Sequence, residues 1–228
     1  MSAAAPITVV VPVLNEAELA ADLGARLAAL AGADAVEVVV VDGGSDDATA
    51  TLLRDAGLTV LPAARGRAGQ MNAGAVAAGG QVLLFLHADT RLPDDALAGV
   101  RDAVDAGAVW GRFDVAIDGR SRWLPLIATT MNLRSRLTGI ATGDQALFVR
   151  RRLFEQIGGF PEQPLMEDIE LTKRLKGIAR PACLRPPVTT SGRRWDRDGA
   201  WSTILLMWRL RLAYWRGVPA AELARRYG

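Results

Sequence analysis

The chain has 228 residues, half of them apolar, a length that suits one domain with a sizeable buried core. Its net charge of only +2 gives no ground for nucleic-acid binding, although the pI is 9.1. The single Cys183 excludes an internal disulfide and any Cys-rich metal site. Of the 27 basic residues only Lys173 and Lys176 are lysines. The first residues carry no charged region followed by an apolar run, so no signal peptide is expected. No stretch reaches the roughly 18 uninterrupted apolar residues of a transmembrane helix. The expected setting is the cytoplasm, or the inner face of its membrane.

The first half alternates strand and helix signals. Ile7–Val11 is a continuous β-branched run, the pattern of a strand buried on both faces, and Pro12 is expected to end it. Leu14–Leu30 reads as a helix. Val36–Val41 is a second buried strand, cut by Asp42-Gly43-Gly44, and Ser45 is placed to N-cap a helix over Asp46–Ala56. Leu58–Leu61 follows as a short strand, Gly69–Ala78 as a helix and Val82–Leu86 as a fourth strand. Strands separated by helices of this length imply a parallel, right-handed α/β sheet.

The second half is less regular. Helices are expected over Pro93–Ala106, Arg151–Ile157, Met166–Lys176, Ala200–Arg216 and Ala220–Tyr227, with strands over Ala108–Ile117 and Ala146–Val149. Gly158-Gly159-Phe160-Pro161 breaks the chain. No repeat or linker appears, and the change of texture near residue 90 reads as two halves of one domain.

In an open parallel sheet, ligands bind beyond the carboxyl ends of the strands. Polar residues follow the apolar runs directly here. The first strand delivers Pro12 to Glu16, the second Asp42 to Ser45, and the fourth His87-Ala88-Asp89-Thr90. Turn chemistry alone explains any one of these; three together, each with a carboxylate, favour a site. A dinucleotide fold would need G-x-G-x-x-G after the first strand, where Pro12-Val13-Leu14-Asn15-Glu16 has no glycine, and no P-loop signature exists.

Val9 to Glu16 and Val41 to Thr49 resemble the two opening motifs of family 2 glycosyltransferases. Leu86-His87-Ala88-Asp89-Thr90 stands at the place of that family's D-x-D metal motif. Gly158-Gly159-Phe160 followed by Glu167-Asp168 resembles its acceptor-side acidic motif. The four motifs run in order from about residue 7 to residue 195. Gly66 to Asn72 and His87 to Thr90 further resemble a small bacterial subgroup associated with radical-SAM proteins and arsenosugar formation. The resemblance implies a GT-A fold, in which a mostly parallel central sheet carries helices on both faces. It also implies an inverting transferase that moves a sugar from a nucleotide-sugar, UDP-linked by expectation, with Mg²⁺ or Mn²⁺.

By this resemblance Asp42 accepts a hydrogen bond from a pyrimidine base, and Pro12, Asn15, Glu16 and Gly43 belong to the same donor wall. Many members carry a second Asp where Gly43 stands. Arg67 reads either as a cation for the diphosphate, with Gln70 and Asn72 beside it, or as a solvated arginine on a turn. Asp89 is the leading metal ligand, since a hard cation on carboxylate oxygen neutralises a departing diphosphate. His87 stands where the family's first Asp would be, either as a second ligand or as a hydrogen-bonded residue at a strand end. Asp168 is the expected catalytic base, kept ionised by the dipole of the helix it opens with Glu167. Asp144 and Gln145 floor the acceptor side, and Arg194-Trp195 resembles an R-W element on a mobile segment there. Arg150-Arg151-Arg152 reads as a solvated run or a phosphate site. Glu170 and Arg174, four apart, read as an intrahelix pair.

Two other readings compete. A sugar nucleotidyltransferase would share the layout but would show a Gly-rich basic signature after the first strand, which is absent. A catalytically inactive nucleotide-sugar-binding protein would be consistent with His87. The acceptor is open, a small molecule or a lipid-linked one. Trp201, Ile204, Leu205, Trp208, Leu212 and Trp215 recur at helical spacing, which suits peripheral membrane contact, packing on the sheet or a homodimer.

Overall fold

The computed structural model describes residues 5–227. In chain order the elements are β1 (Ile7–Val13), α1 (Ala17–Ala31), β2 (Val36–Asp42), α2 (Thr49–Asp55), β3 (Thr59–Pro62), α3 (Arg67–Ala77) and β4 (Val82–Phe85). There follow β5 (Thr90–Arg91), α4 (Ala96–Asp105), β6 (Trp110–Asp118), α5 (Leu124–Thr138) and a single 3-10 turn (Gly143–Gln145). The chain continues through β7 (Leu147–Arg150), α6 (Arg151–Gln156), α7 (Glu167–Lys176) and β8 (Ala182–Ser191), and closes with α8 (Arg193–Asp198), α9 (Ala200–Trp215) and α10 (Ala220–Tyr227). The eight strands form one mixed sheet in the order β3-β2-β1-β4-β7-β6-β8-β5. The quartet β3-β2-β1-β4 is parallel, β7 runs antiparallel to both β4 and β6, and β6 pairs parallel with β8. This is the GT-A architecture of an α/β sheet flanked by helices.

The β-branched runs sit in the middle of the sheet because both of its faces are covered. Val9, Val11, Val38 and Val40 pack in one layer with Leu23 and Leu27 of α1. Val10, Val39 and Val41 pack in the other with Met71 and Ala75 of α3.

Several expected boundaries move for identifiable reasons. Pro12 lies inside β1, which runs on to Val13. The β4 partner ends at Val10↔Phe85, so Pro12 has a neighbour on one side only and its missing N–H interrupts no ladder there. Ser45 does not cap α2; its hydroxyl is held by Asp42, and the helix starts only at Thr49. Besides the short β5 and α8, two longer elements carry no clear sequence signal. In α5, Leu126, Leu133 and Leu137 are exposed, so apolar residues on the solvent side blur the period. In β8, Arg185-Pro186-Pro187 reads as loop. The register against β6 skips from Leu184↔Phe113 to Val188↔Val115, so these residues form an irregularity where no ladder bond is needed. Glu170 does pair with Arg174, at 3.6 Å.

Candidate active site

The ends of β1, β2 and β4 meet on one rim, and the loops that follow are tied together. The Asn15 amide donates to Ser45 Oγ at 2.9 Å, and the Asp46 amide donates to Asn15 Oδ1 at 2.8 Å. Asp42, buried, accepts from the amides of Gly44 and Ser45 at 3.2 and 3.1 Å. Gln70, buried on α3, donates through Nε2 to the carbonyls of Val13 and Val41, both at 2.8 Å, and so staples the ends of β1 and β2. Its amide lies against Gly43, where a Cβ would come within 2.9 Å of it. A second Asp at 43 would therefore make the Gln70 amide shift, straining its bonds to Val13 and Val41.

Across the rim stands the N-terminus of α7. Between the two lies a cavity of about 700 Å³. Its walls include Pro12, Glu16, Arg67, Gln70, His87 and Asp89 on the strand side. Asp144, Glu167, Asp168, Arg194 and Trp195 complete the lining, with Asp144 against His87 and Glu167 against Arg67. The remaining expected site residues do not line it. Asn15, Asp42 and Gly43 build the loops behind the wall. Asn72 clamps the Phe160 backbone, donating to its carbonyl and accepting from its amide, each at 2.9 Å. Gln145 is fully buried and closes a capping box with Thr142. Arg150 and Arg151 do not form a phosphate site; they brace the carbonyls of Ala108, Val104 and Ala78 at the other end of the sheet.

Three carboxylates gather where the Gly143 turn meets the start of α7. Asp168 accepts from the Gly143 amide at 2.9 Å and from the Ile169 amide at 2.7 Å. Burial nevertheless raises its pKa above the usual aspartate range, against those two hydrogen bonds, and the charge of Asp144 adds to the rise. The lowering expected from the helix dipole is thus outweighed by desolvation. Glu167 is raised likewise by burial and by Asp168, opposed by Arg67, whose guanidinium lies 3.8 Å away. Asp144 moves the other way: burial pushes it up, but the His87 hydrogen bond and the charges of His87 and Arg67 hold it low.

His87 is a support for Asp144. Its Nδ1 lies 3.2 Å from Asp144 Oδ1, and an ionised Asp144 requires the proton on Nδ1. Its Nε2 is buried without a hydrogen-bond partner, against Gly143. In this arrangement Nδ1 is engaged with Asp144 and Nε2 is covered by the Gly143 turn. A Cβ on Gly143 would fall 2.3 Å from Nε2. Gly143→Ala should therefore displace His87 and cost about 1–3 kcal/mol of stability, seen as a melting temperature lower by several degrees. An unchanged melting temperature would show that the ring yields freely.

Asp89 is suited to a cation. It is part-exposed, and its oxygens make only long contacts, 3.5 Å to Thr90 Oγ1 and 3.9 Å to Arg193. Among the described residues no three His, Cys, Asp or Glu side chains converge into a protein-only cage. The donor set therefore fits a hard cation shared with a phosphate ligand, which needs only one or two protein carboxylates.

The sequence reading missed the part of the wall supplied by the C-terminal helices: Met207 and Arg211 of α9 and Tyr227 of α10. Arg194 stacks over the Tyr227 ring at 3.7 Å and donates to its carbonyl at 3.1 Å, tying α8 to α10. Nothing in the sequence pairs these two residues; only the α9–α10 turn brings them together.

The fold is similar to three solved glycosyltransferase-type structures. One is the mannosyltransferase PcManGT from Pyrobaculum calidifontis in complex with GDP-Man and Mn²⁺, with 24% identity over 93% of this chain and 62% of that one, TM-score 0.65. Another is S. aureus TarS 1-349 in complex with UDP, with 20% identity over 82% of this chain and 60% of that one, TM-score 0.65. A third is glucosyl-3-phosphoglycerate synthase from Mycobacterium tuberculosis in complex with Mn²⁺, UDP and glucosyl-3-phosphoglycerate, with 20% identity over 82% and 70% of the two chains, TM-score 0.57. This chain spans less than two thirds of the length of the first two. No match was found among curated protein sequences. The family model described as Glycosyl transferase family 2 matches residues 8–158, from β1 past α6. That span carries both tied loops, the Asp89 turn and the Gly143 turn, and on it the chain belongs to glycosyl transferase family 2.

Proposed function

We propose that the chain transfers a glycosyl group from a nucleotide-sugar, with inversion, to an acceptor hydroxyl. The observation that carries this reading is Asp168, a half-buried carboxylate held by the Gly143 and Ile169 amides, lining the same cavity as Asp89. The strand side, to about residue 90, takes the donor, and the side built by α7 to α10 takes the acceptor. The acceptor oxygen attacks the anomeric carbon, its proton passes to Asp168, and the glycosidic electron pair leaves with the diphosphate. We assign that departing charge to Arg67, whose always protonated guanidinium lines the cavity 3.8 Å from Glu167. Arg194 faces the same space. Asp89 would hold Mg²⁺ or Mn²⁺, which supplies neutralisation of the diphosphate's charge. The GDP- and UDP-bound relatives support a nucleoside-diphosphate donor, and we read it as uridine-linked. The likeness to the radical-SAM-associated subgroup rests on sequence motifs alone and names no acceptor.

A thermal-shift series with UDP, GDP and their sugars, with and without Mn²⁺, tests the donor site. A ligand present at a hundred times its Kd stabilises by about 2.7 kcal/mol, or roughly 5–10 °C for a chain of this size. The reading expects the UDP arm to shift most, and with metal. If no nucleoside diphosphate shifts the transition in either condition, the donor assignment fails.

A further inference from the structure

The helix α9 is apolar all round, which ordinarily means burial on every side, yet only part of it is covered. Leu210 and Thr203 are buried, and Leu206 and Tyr214 pack with α10. The opposite side is open. Successive helical residues turn by about 100°, so Trp201, Leu205, Trp208, Leu212 and Trp215 share one strip within an arc of about 80° and about 21 Å long. All five are exposed, Trp208 at 70% and Trp215 at 83%. The same turn places exposed Arg209 and Arg216 together along one flank of the strip. Met207 and Arg211, which line the cavity, lie along the other.

Charge decides what could cover this strip. Between Asp198 and Glu222 the chain has no acidic residue, although it carries 25 in all. The same holds between Asp118 and Asp144, which contains α5. That helix adjoins α9 through Trp123 and Trp201, whose rings meet edge-on at 5.3 Å. Among the described residues neither Arg209 nor Arg216 makes an ion pair, and a second copy laid on the strip would bring the same unpaired arginines with it. An anionic lipid surface supplies what is missing: an apolar layer for the leucines, headgroup depth for indole rings, and phosphate for arginine. Among the described residues no helix is long and apolar enough to cross a membrane, so the contact is one of lying on the surface.

We propose that the outward strip of α9 rests in the interface of an anionic bilayer, Trp208 and Trp215 embedded and Arg209 and Arg216 on headgroup phosphates. The cavity then opens beside the bilayer, because its α9 wall is the next row of the same helix. The inference is independent of the sugar-transfer reading, since it rests on the outer strip and not on the cavity's chemistry.

Co-sedimentation of the full chain with phosphatidylglycerol/phosphatidylcholine vesicles tests it without any sugar nucleotide. Binding is expected at low salt and is expected to weaken as salt screens the arginines. Trp208→Glu and Trp215→Glu should each lower the bound fraction by about tenfold or more, with circular dichroism unchanged. Arg209→Glu combined with Arg216→Glu should abolish the preference over pure phosphatidylcholine vesicles. Should a variant not fold, quenching of tryptophan emission by brominated anionic lipid on the unaltered chain decides instead, its absence overturning the proposal. A chain that stays in the supernatant at low salt overturns it, as do variants that bind like the parent. A dimer split by Trp208→Glu, with no vesicle binding, would assign the strip to a second copy.

Discussion

Asp168→Asn should fold, bind donor like the parent, and transfer sugar about 10²–10⁴-fold more slowly, the usual loss on removing a general base. The Gly143 and Ile169 amides donate to different oxygens of the carboxylate, so the single oxygen of the Asn side chain keeps one of these two bonds and gives up the other. The pH dependence follows from the direction of the shift. The base acts only when ionised, so transfer by the parent should rise with pH through the pKa of Asp168, and burial sets that limb above the 3.8 of an ordinary aspartate. For stability the sign is the reverse. A carboxylate whose folded-state pKa is raised contributes stability that is fully present below its unfolded pKa and lost as pH rises through the folded one. The Asn variant should lack that loss, so its stability should not fall with rising pH as the parent's does, while the hydrogen bond it gives up lowers its stability by a constant amount. Initial rates and melting curves across pH read both effects. Full transfer by Asp168→Asn would remove it from the role of base.

The second large effect is expected at Asp89. Asp89→Ala should abolish the part of donor binding that depends on Mn²⁺ or Mg²⁺ and leave the metal-independent part. Charge stabilisation by a bound cation is worth several kcal/mol, so transfer should fall about a thousandfold or more. The contacts of Asp89 with Thr90 and Arg193 are long, so little stability should go with them. Calorimetric titration of UDP with and without metal separates the two parts. If the variant binds UDP and Mn²⁺ like the parent, Asp89 does not hold the cation.

The parallel half of the sheet was legible because its strands are buried on both faces and announce themselves as β-branched runs. The placement of Glu16, His87 and Asp89 followed from that alone, since each succeeds a strand end. Side-chain direction was not legible. Asn15, Asp42 and Asn72 fall within matching motifs, yet their side chains bond neighbouring loops, Asp42 to the Ser45 hydroxyl as well as to backbone amides, and sequence order does not say which side of a loop a side chain faces. The direction of the Asp168 shift was not legible for a related reason: the helix terminus is visible in sequence, whereas the burial that outweighs it comes from tertiary packing. Helix α5 and strand β8 were missed because one exposes leucines and the other carries two prolines at a register break, each violating the period by which elements are recognised. Tyr227 entered the cavity wall through a helix hairpin that no local pattern encodes.

The packing of Gln70 on Gly43 also orders history. An acidic side chain at 43 collides with the amide that staples β1 to β2, whereas a shorter residue at 70 gives up both bonds to Val13 and Val41. A lineage passing between this arrangement and the two-aspartate loop must therefore cross an intermediate that is either crowded or unstapled. The less damaging route changes position 70 first, opening the space before it is filled. Homologues should accordingly be found with a small residue at both positions more readily than with glutamine and aspartate together.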